Sequence, residues 1–211
     1  MEFEKIKLIL SILPKISLIK TLYYCFKFKC HILVGRGAKI ILSENSKIIV
    51  KGNLFIGLIY NWNQRTVLEI GKNGTLIVEG SASLMKGSKT VISENATLKV
   101  CHNSSIGENS FIKCRKKIEI GENCAISWNV TIIDSDLHQI IIDGNNQENT
   151  KEIMINNNVL IGCNSTILKG VKIGESSVVG AGTVVSKSIP PNSLSVGNPN
   201  RIAKQNVKWE P

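Results

Sequence analysis

The sequence predicts an all-β solenoid, a chain wound into stacked coils of short strands. Its 211 residues are 43% apolar but only 5% aromatic, and Ile, Val and Asn are plentiful, which favours short strands joined by tight polar turns. In the second half, aliphatic residues recur at every sixth position, a spacing that neither an amphipathic helix nor simple strand alternation predicts. Length and composition suit one domain with a terminal appendage.

The six-residue repeat has two marked positions. The first is an aliphatic residue that should point into a narrow core, namely Ile106, Ile112, Ile118, Ile120, Ile126, Ile132, Ile161, Ile167, Ile173, Val179 and Val185. The second, four residues later, is small or β-branched and fits a corner, as at Ser110, Cys124, Val130, Ser165, Val171, Ser177 and Thr183. Three units should close one coil of about eighteen residues, so we expect Val179 to stack on Ile161.

The residue after the aliphatic one is often glycine, as in IGENSF, IGENCA and IGESSV. We expect this glycine to allow unusual backbone angles at each corner. The repeat is strict from about residue 104 to 188 and less regular from 35 to 103, where stretches such as LEIGKNGTLIVEG still indicate coils.

These repeats resemble the hexapeptide-repeat acyltransferases, in particular the branch that acetylates maltose, galactosides and capsular polysaccharides. The resemblance implies a left-handed parallel β-helix over residues 31–211, a handedness opposite to that of most parallel crossovers. It also implies a homotrimer with active sites in the grooves between subunits.

Residues 1–30 form a separate basic segment, in which six lysines accompany two glutamates. Lysines and Pro14 interrupt its apolar stretches, so it has no run of about eighteen apolar residues able to span a bilayer. It also lacks the cleavage site of a secretory signal. We expect an amphipathic helical region, broken or kinked near Pro14, that either packs on the domain or docks on an anionic membrane surface.

Composition argues against several other functions. The six cysteines show neither C-x-x-C nor metal-ligand spacing, which favours free thiols in a reducing cytoplasm. A zinc site would need converging histidines, and the three in this chain are His31, His102 and His138, too scattered for one. The net charge of +10 has no accompanying aromatic stacking motif, so we expect no nucleic-acid binding.

An insertion at about residues 134–155, rich in Asp and Asn, interrupts the strict repeat and must leave the coil. By the resemblance, this is the active-site loop, and His138 at its start is the general base. It would remove the proton of a sugar hydroxyl as the oxygen attacks the thioester carbonyl of acetyl-CoA. Asp134 or Asp136 would orient the imidazole, although either is also compatible with a solvated loop residue.

The acceptor stays open at the level of the sequence. Galactoside acetyltransferases carry an acceptor-binding asparagine one coil before the histidine, where this chain has FIKCRKK. The basic cluster Arg115, Lys116 and Lys117 in that stretch suits an acidic or phosphorylated glycan, or is a solvated face.

The closing segment VVGAGTVVSKSIPPNSLSVGNPNRIAK resembles the coenzyme A region of the family. A small-residue wall around Gly180 and Ala181 would let a pantetheine arm lie close to the backbone. The tail from about residue 189 to 211 would complete this region. The resemblance assigns the pantetheine and the nucleotide phosphates to Cys163, Gly180, Ala181, Ser186, Arg201 and Lys204, of which the last two carry the charge that phosphates need.

The sequence therefore predicts a cytoplasmic acetyl-CoA-dependent O-acetyltransferase, acting on a sugar hydroxyl of a surface polysaccharide or its precursor. Contact with the inner face of the membrane would come through residues 1–30. The alternatives are an N-acetyltransferase of a nucleotide amino sugar, a xenobiotic acetyltransferase, and a non-catalytic solenoid scaffold.

Overall fold

The computed structural model describes residues 15–58 and 65–210, which form one helix followed by a β-helix with three flat faces. The expected break near Pro14 and the first half of the basic segment lie outside the described residues. The helix, α1, spans Leu18–Phe28. The strands are numbered along the chain, and each coil contributes one strand to each face.

The strands fall into three sheets and one small hairpin. The first face contains β1 His31–Val34, β4 Asn53–Ile56, β7 Ala82–Leu84, β10 Ser104–Ile106, β13 Ala125–Ile126, β18 Leu160–Ile161, β21 Val178–Val179, β23 Ser193–Val196 and β24 Arg201–Gln205. The second contains β2 Lys39–Leu42, β5 Val67–Ile70, β8 Lys89–Ile92, β11 Phe111–Cys114, β14 Thr131–Ile133, β19 Thr166–Ile167 and β22 Val184–Val185. The third contains β3 Lys47–Val50, β6 Thr75–Glu79, β9 Thr97–Cys101, β12 Lys117–Ile120, β17 Ile153–Ile155 and β20 Lys172–Ile173. The hairpin consists of β15 Ile141–Ile142 and β16 Asn145–Asn146.

Within each face, a strand pairs in parallel with the strand of the next coil, and only β24 returns antiparallel along β23. Val179 pairs with Ile161, 18 positions earlier, as predicted. In the less regular half, Thr97 pairs with Thr75, 22 positions earlier. There, strands of four or five residues replace strands of two. The solenoid therefore continues with longer coils, and the six-residue period is less regular in the sequence.

The structure confirms that both recurring positions of the repeat are buried in the core. All eleven aliphatic residues are at most 3% exposed, and the seven small or β-branched corner residues are equally buried. Buried Ser hydroxyls bond to the backbone; for example, Ser110 Oγ donates to Ser127 O at 2.9 Å. The narrow core therefore tolerates a corner serine such as Ser110 because a carbonyl of the next coil accepts its hydroxyl.

Most corner angles come from asparagine two residues after the expected glycine, which corrects the expectation for the IGENSF and IGENCA corners. In IGENSF it is Asn109 that adopts a positive φ of 56°, a conformation that Asn tolerates better than most residues. Gly107 is needed for close approach instead, because a Cβ there would lie 2.4 Å from Ser127 O. Stacked corner asparagines bond to one another, as Asn103 Nδ2 does to Asn123 Oδ1 at 2.9 Å.

Helix α1 packs on the first coil, which confirms the first of the two alternatives for this part of the basic segment. Thr21 Oγ1 accepts the N–H of Val34 at 3.1 Å, and Lys20 Nζ donates to Ala38 O at 2.7 Å. Tyr24 and Phe28 lie against the hydrophobic core. Across the described ranges, no helix is long and apolar enough to cross a membrane.

All six cysteines are free thiols, and two of them, Cys114 and Cys124, are buried in the coils. Burial, with a smaller contribution from the Asp134 carboxylate, raises the pKa of Cys114 far above its ordinary value. Burial likewise raises the pKa of Cys124 to about 11. Since the thiolate is the reactive form, both side chains should be inert at neutral pH in the folded protein.

We expect iodoacetamide at neutral pH to modify half-buried Cys163 in the folded protein while Cys114 and Cys124 stay unmodified, as read by peptide mass spectrometry. Protein unfolded in guanidinium is the control, because all three thiols should then react. Fast modification of Cys124 in the folded protein would contradict the packing of its coil.

Candidate active site

The predicted active-site loop leaves the solenoid directly after β14. Its two ends are joined at the root, where Asp136 N donates to Asn149 O at 2.9 Å and Lys151 N donates to Asp134 O at 3.0 Å. His138 follows this root and is exposed, and the β15–β16 hairpin projects beyond it. The root therefore carries the imidazole on backbone that is tied down on both sides.

Asp134 is fully buried and holds the neighbouring turn. Its carboxylate accepts the backbone N–H groups of Arg115, Lys116 and Lys117 at 2.7, 2.8 and 2.9 Å. A carboxylate that accepts three amides is well compensated for its burial. Its hydrogen bonds thus go to the preceding coil, and the structure shows none to His138.

Asp136 pairs with Lys169, and both side chains are only about one-fifth exposed. Lys169 Nζ also donates to the carbonyl of Glu148 on the far side of the loop. Lys169 therefore connects both ends of the loop to the next coil of the solenoid. The role of Lys169 could not be predicted from the sequence. Thr131 pairs with Thr166 across the insertion, and this register places Lys169 beside residue 134 in the next coil.

The basic cluster lies beside the same loop. Lys116 pairs with Glu148 at 3.6 Å, and Lys117 with Glu119 at 3.4 Å. Arg115 donates from Nη1 to Leu137 O at 3.4 Å and, within the described part of the chain, makes no ion pair. Arg115 is therefore the member of the cluster whose charge is available next to His138.

We call this edge of the second face the loop corner, formed by residues 115–117, 134–138 and Lys169. The opposite edge, the cofactor corner, is formed by residues 162–164 and 180–182. The parallel strands β14, β19 and β22 run from the cofactor corner to the loop corner.

The cofactor corner has the close backbone approach that the sequence predicts. Gly182 N donates to Cys163 O at 2.8 Å, and a Cβ at Gly162 would lie 2.6 Å from Ala181 N. Gly182 has a φ of +70°, and a Cβ there would meet no atom within 4 Å. The corner thus has an open, small-residue surface, which fits a pantetheine arm.

The closing segment is held by an asparagine that sequence reasoning missed. Asn200 is buried, and its Oδ1 accepts the N–H groups of Ser186 and Lys187 at 3.0 Å each. This contact fixes the start of β24, on which Arg201 and Lys204 are both exposed. Two exposed cations beside a small-residue surface fit the phosphates of coenzyme A.

The predicted site residues therefore divide between two places. Asp134, Asp136 and His138 meet at the loop corner, whereas Cys163 and Ala181 lie at the cofactor corner, before the amino ends of β19 and β22. The two groups thus occupy opposite ends of the strands of one face, and Ser186, the residue after β22, lies at the end of that strand nearer the loop corner.

Comparison with known proteins finds the same repeat and the same fold elsewhere. Residues 152–187 match the family of the bacterial transferase hexapeptide (six repeats). The chain is similar to "Putative acetyltransferase YvoF" of Bacillus subtilis (strain 168), with 42% identity over 77 residues, which is 36% of this chain and 41% of that protein. The chain thus spans less than half the length of this curated relative.

Two solved structures extend the similarity to most of the fold. The polySia-specific acetyltransferase NeuO superposes with a TM-score of 0.66 at 23% identity, covering 83% of this chain and 89% of that one. The polysialic acid O-acetyltransferase OatWY superposes with a TM-score of 0.55 at 28% identity, covering 85% and 87%.

The fold and the matched repeats define a left-handed β-helix built from hexapeptide units. The repeat of residues 152–187 is that of the bacterial hexapeptide transferases, as the sequence predicted.

The contacts of Asp134 predict a cost for losing its charge. Asp134→Asn leaves one carbonyl oxygen for three amides and turns an NH₂ group toward donors, so we expect the free energy of unfolding to fall by about 2 kcal/mol. Thermal and urea unfolding followed by circular dichroism would measure it. Asp143→Asn, on the exposed hairpin, is the matched control, and equal stability of the two variants would contradict the described role.

Proposed function

We propose that the protein is an acetyl-CoA-dependent O-acetyltransferase that modifies a sugar hydroxyl, in a surface polysaccharide or its precursor, with His138 as general base. The observation that carries this proposal is the placement of His138. Its imidazole is exposed on a loop root that a buried carboxylate and an ion pair fix to a hexapeptide solenoid.

The proposed chemistry needs one proton transfer. Acetyl-CoA, when bound, would supply a thioester, whose carbonyl carbon would bond to the hydroxyl oxygen while the thiolate leaves. His138 removes the hydroxyl proton and returns it to the departing sulfur, so the imidazole ends neutral. Asp134 and Asp136 serve as positioning residues through the backbone of the loop, since Asp134 bonds to three amides and Asp136 to Lys169.

We assign the cofactor to the cofactor corner and the closing segment. The pantetheine arm would lie against Cys163, Gly180 and Ala181, with Ser186 beyond them at the far end of β22. Arg201 and Lys204 would bind the phosphates as a planar fork and a point charge.

We infer that two copies of the chain share each site. His138 and Ala181 flank the second face at opposite corners, so the cofactor bound to one chain reaches the histidine of a neighbouring chain. A closed ring of identical contacts suits this arrangement, and we propose a homotrimer.

His138→Ala should lower kcat for acetyl transfer by about a hundred- to ten-thousand-fold, because the positioned base is lost. Binding of coenzyme A, measured by calorimetry, should stay unchanged. His31→Ala, at the exposed first residue of β1, is the matched control and should retain full activity. The wild-type product should be an ester that mild base removes, and a base-stable amide would favour the N-acetyltransferase instead.

Mixing two inactive variants tests whether two chains share each active site. Ala181→Trp should block the cofactor corner, and alone it should be as inactive as His138→Ala. Refolding the two variants together should restore part of the activity, because some sites then combine an intact cofactor corner with an intact His138. If mixed chains stay inactive although they co-assemble, the site does not lie between copies.

We further propose that the acceptor is an acidic sugar and that Arg115 binds its carboxylate. Arg115 is exposed next to His138, and its guanidinium makes no ion pair with any described residue. The relative OatWY, at 28% identity, acts on polysialic acid, a carboxylate-bearing glycan. A guanidinium matches a carboxylate in a bidentate geometry, which lysine cannot reproduce.

Arg115→Ala should raise KM for oligosialic acid by about tenfold or more, since a charge-assisted contact is lost. Arg115→Lys should rescue it only in part. The same variants should not change KM for a neutral maltooligosaccharide, if that is accepted at all. Lys116→Ala is the matched control, because Lys116 already pairs with Glu148. An equal effect on charged and neutral acceptors would contradict carboxylate binding.

We place the reaction in the cytoplasm. Six free thiols suit a reducing compartment, which is also where acetyl-CoA is available. Disulfides among these cysteines in protein isolated from its cells under thiol-blocking conditions would contradict this placement.

A further inference from the structure

Helix α1 exposes an apolar face that nothing in the described structure covers. Leu18, Ile19, Leu22, Tyr23 and Phe26 are 62, 85, 70, 56 and 89% exposed. Their spacing places them on one side of the helix. Large apolar side chains grouped in this way usually mark an interaction surface.

The opposite side of α1 is fixed to the solenoid. Thr21, Tyr24 and Cys25 form hydrogen bonds to the first two strands, and Phe28 packs on the core. These contacts prevent α1 from rotating its exposed side inward. Packing on the domain and docking elsewhere are therefore compatible, because they use different faces of one helix.

The charge around this face has a single sign. The sequence contains no Asp or Glu from Lys5 to Ser43, and the 25 residues from Lys15 to Lys39 include six lysines and arginines. Lys27 Nζ lies 5.7 Å from the centre of the Tyr23 ring, at the border of the apolar face. A cation bordering exposed aromatic and aliphatic side chains is the composition of helices that lie in a bilayer interface.

We propose that the apolar face of α1 docks on an anionic lipid surface, with the helix lying in the interface and its cations against the headgroups. Charge decides between this occupant and a second copy of the chain. Pairing α1 with α1 would bring two acid-free basic segments together, and like charges facing each other oppose association. An anionic bilayer complements the same charges and buries the same apolar side chains.

Cosedimentation of the full-length protein with vesicles tests the proposal. We expect binding to phosphatidylcholine vesicles that contain phosphatidylglycerol, weaker binding as salt rises, and little binding to phosphatidylcholine alone. The double change Ile19→Asp with Phe26→Asp should reduce binding by about tenfold or more, because two apolar anchors are lost and two negative charges gained. Lys27→Glu should weaken binding to the anionic vesicles alone.

Ile49→Asp is the matched control, since Ile49 is 44% exposed on β3 and is not part of the apolar face of α1. It should bind vesicles like the wild type. Circular dichroism and thermal unfolding should show that every variant is folded. Acetyl transfer to a soluble acceptor should be unchanged in the Ile19→Asp and Phe26→Asp protein, so failure of docking and failure of the proposed activity are distinguishable.

Two results would overturn the proposal. One is that the folded double variant binds anionic vesicles as tightly as the wild type. The other is that the wild type ignores vesicles while sedimentation velocity shows a larger assembly that the double variant loses, which would identify a second copy as the occupant.

Discussion

The stacking of coils in register is the constraint on which the rest of this structure depends. Each coil contributes one strand to each face, and the buried side chains of all three faces form one hydrophobic core cluster. A strand that slipped by one residue would turn its aliphatic side chain out to solvent. The period of six, the glycines at points of close approach and the left-handed asparagines all serve this one requirement.

The same constraint explains how a catalytic loop can be inserted without disturbing the solenoid. The pairing of Thr131 with Thr166 spans 35 positions instead of 18, yet the strands on both sides keep their register. Asp134 makes this possible, because it binds the turn of the preceding coil at the point where the chain departs. The Asp136–Lys169 pair then anchors the departing segment to the following coil.

The repeat could be predicted from the sequence because its cause is local: each aliphatic residue and each corner residue occupies its own coil. Asp134, Lys169 and Asn200 could not, since their roles depend on which coil lies above or below, and an insertion of unknown path hides that register. The role of the corner asparagines was missed for a different reason. The glycine after the aliphatic residue was the obvious candidate for an unusual backbone angle, whereas the structure uses Gly107 for close approach and gives the positive φ to Asn109.

The two halves of the proposed site lie at opposite edges of the second face, the loop corner and the cofactor corner. A strand of two or three residues spans roughly 10 Å at about 3.3 Å per residue, so the loop corner and the cofactor corner of one face stay apart however the loop moves. Tightening the core cannot bring them closer, because the width of a face is set by the strand length that the register requires. The proposed arrangement joins the corners by placing two chains side by side. Under this proposal, a rigid scaffold with separated half-sites depends on assembly for catalysis, which a flexible single-chain site would not need.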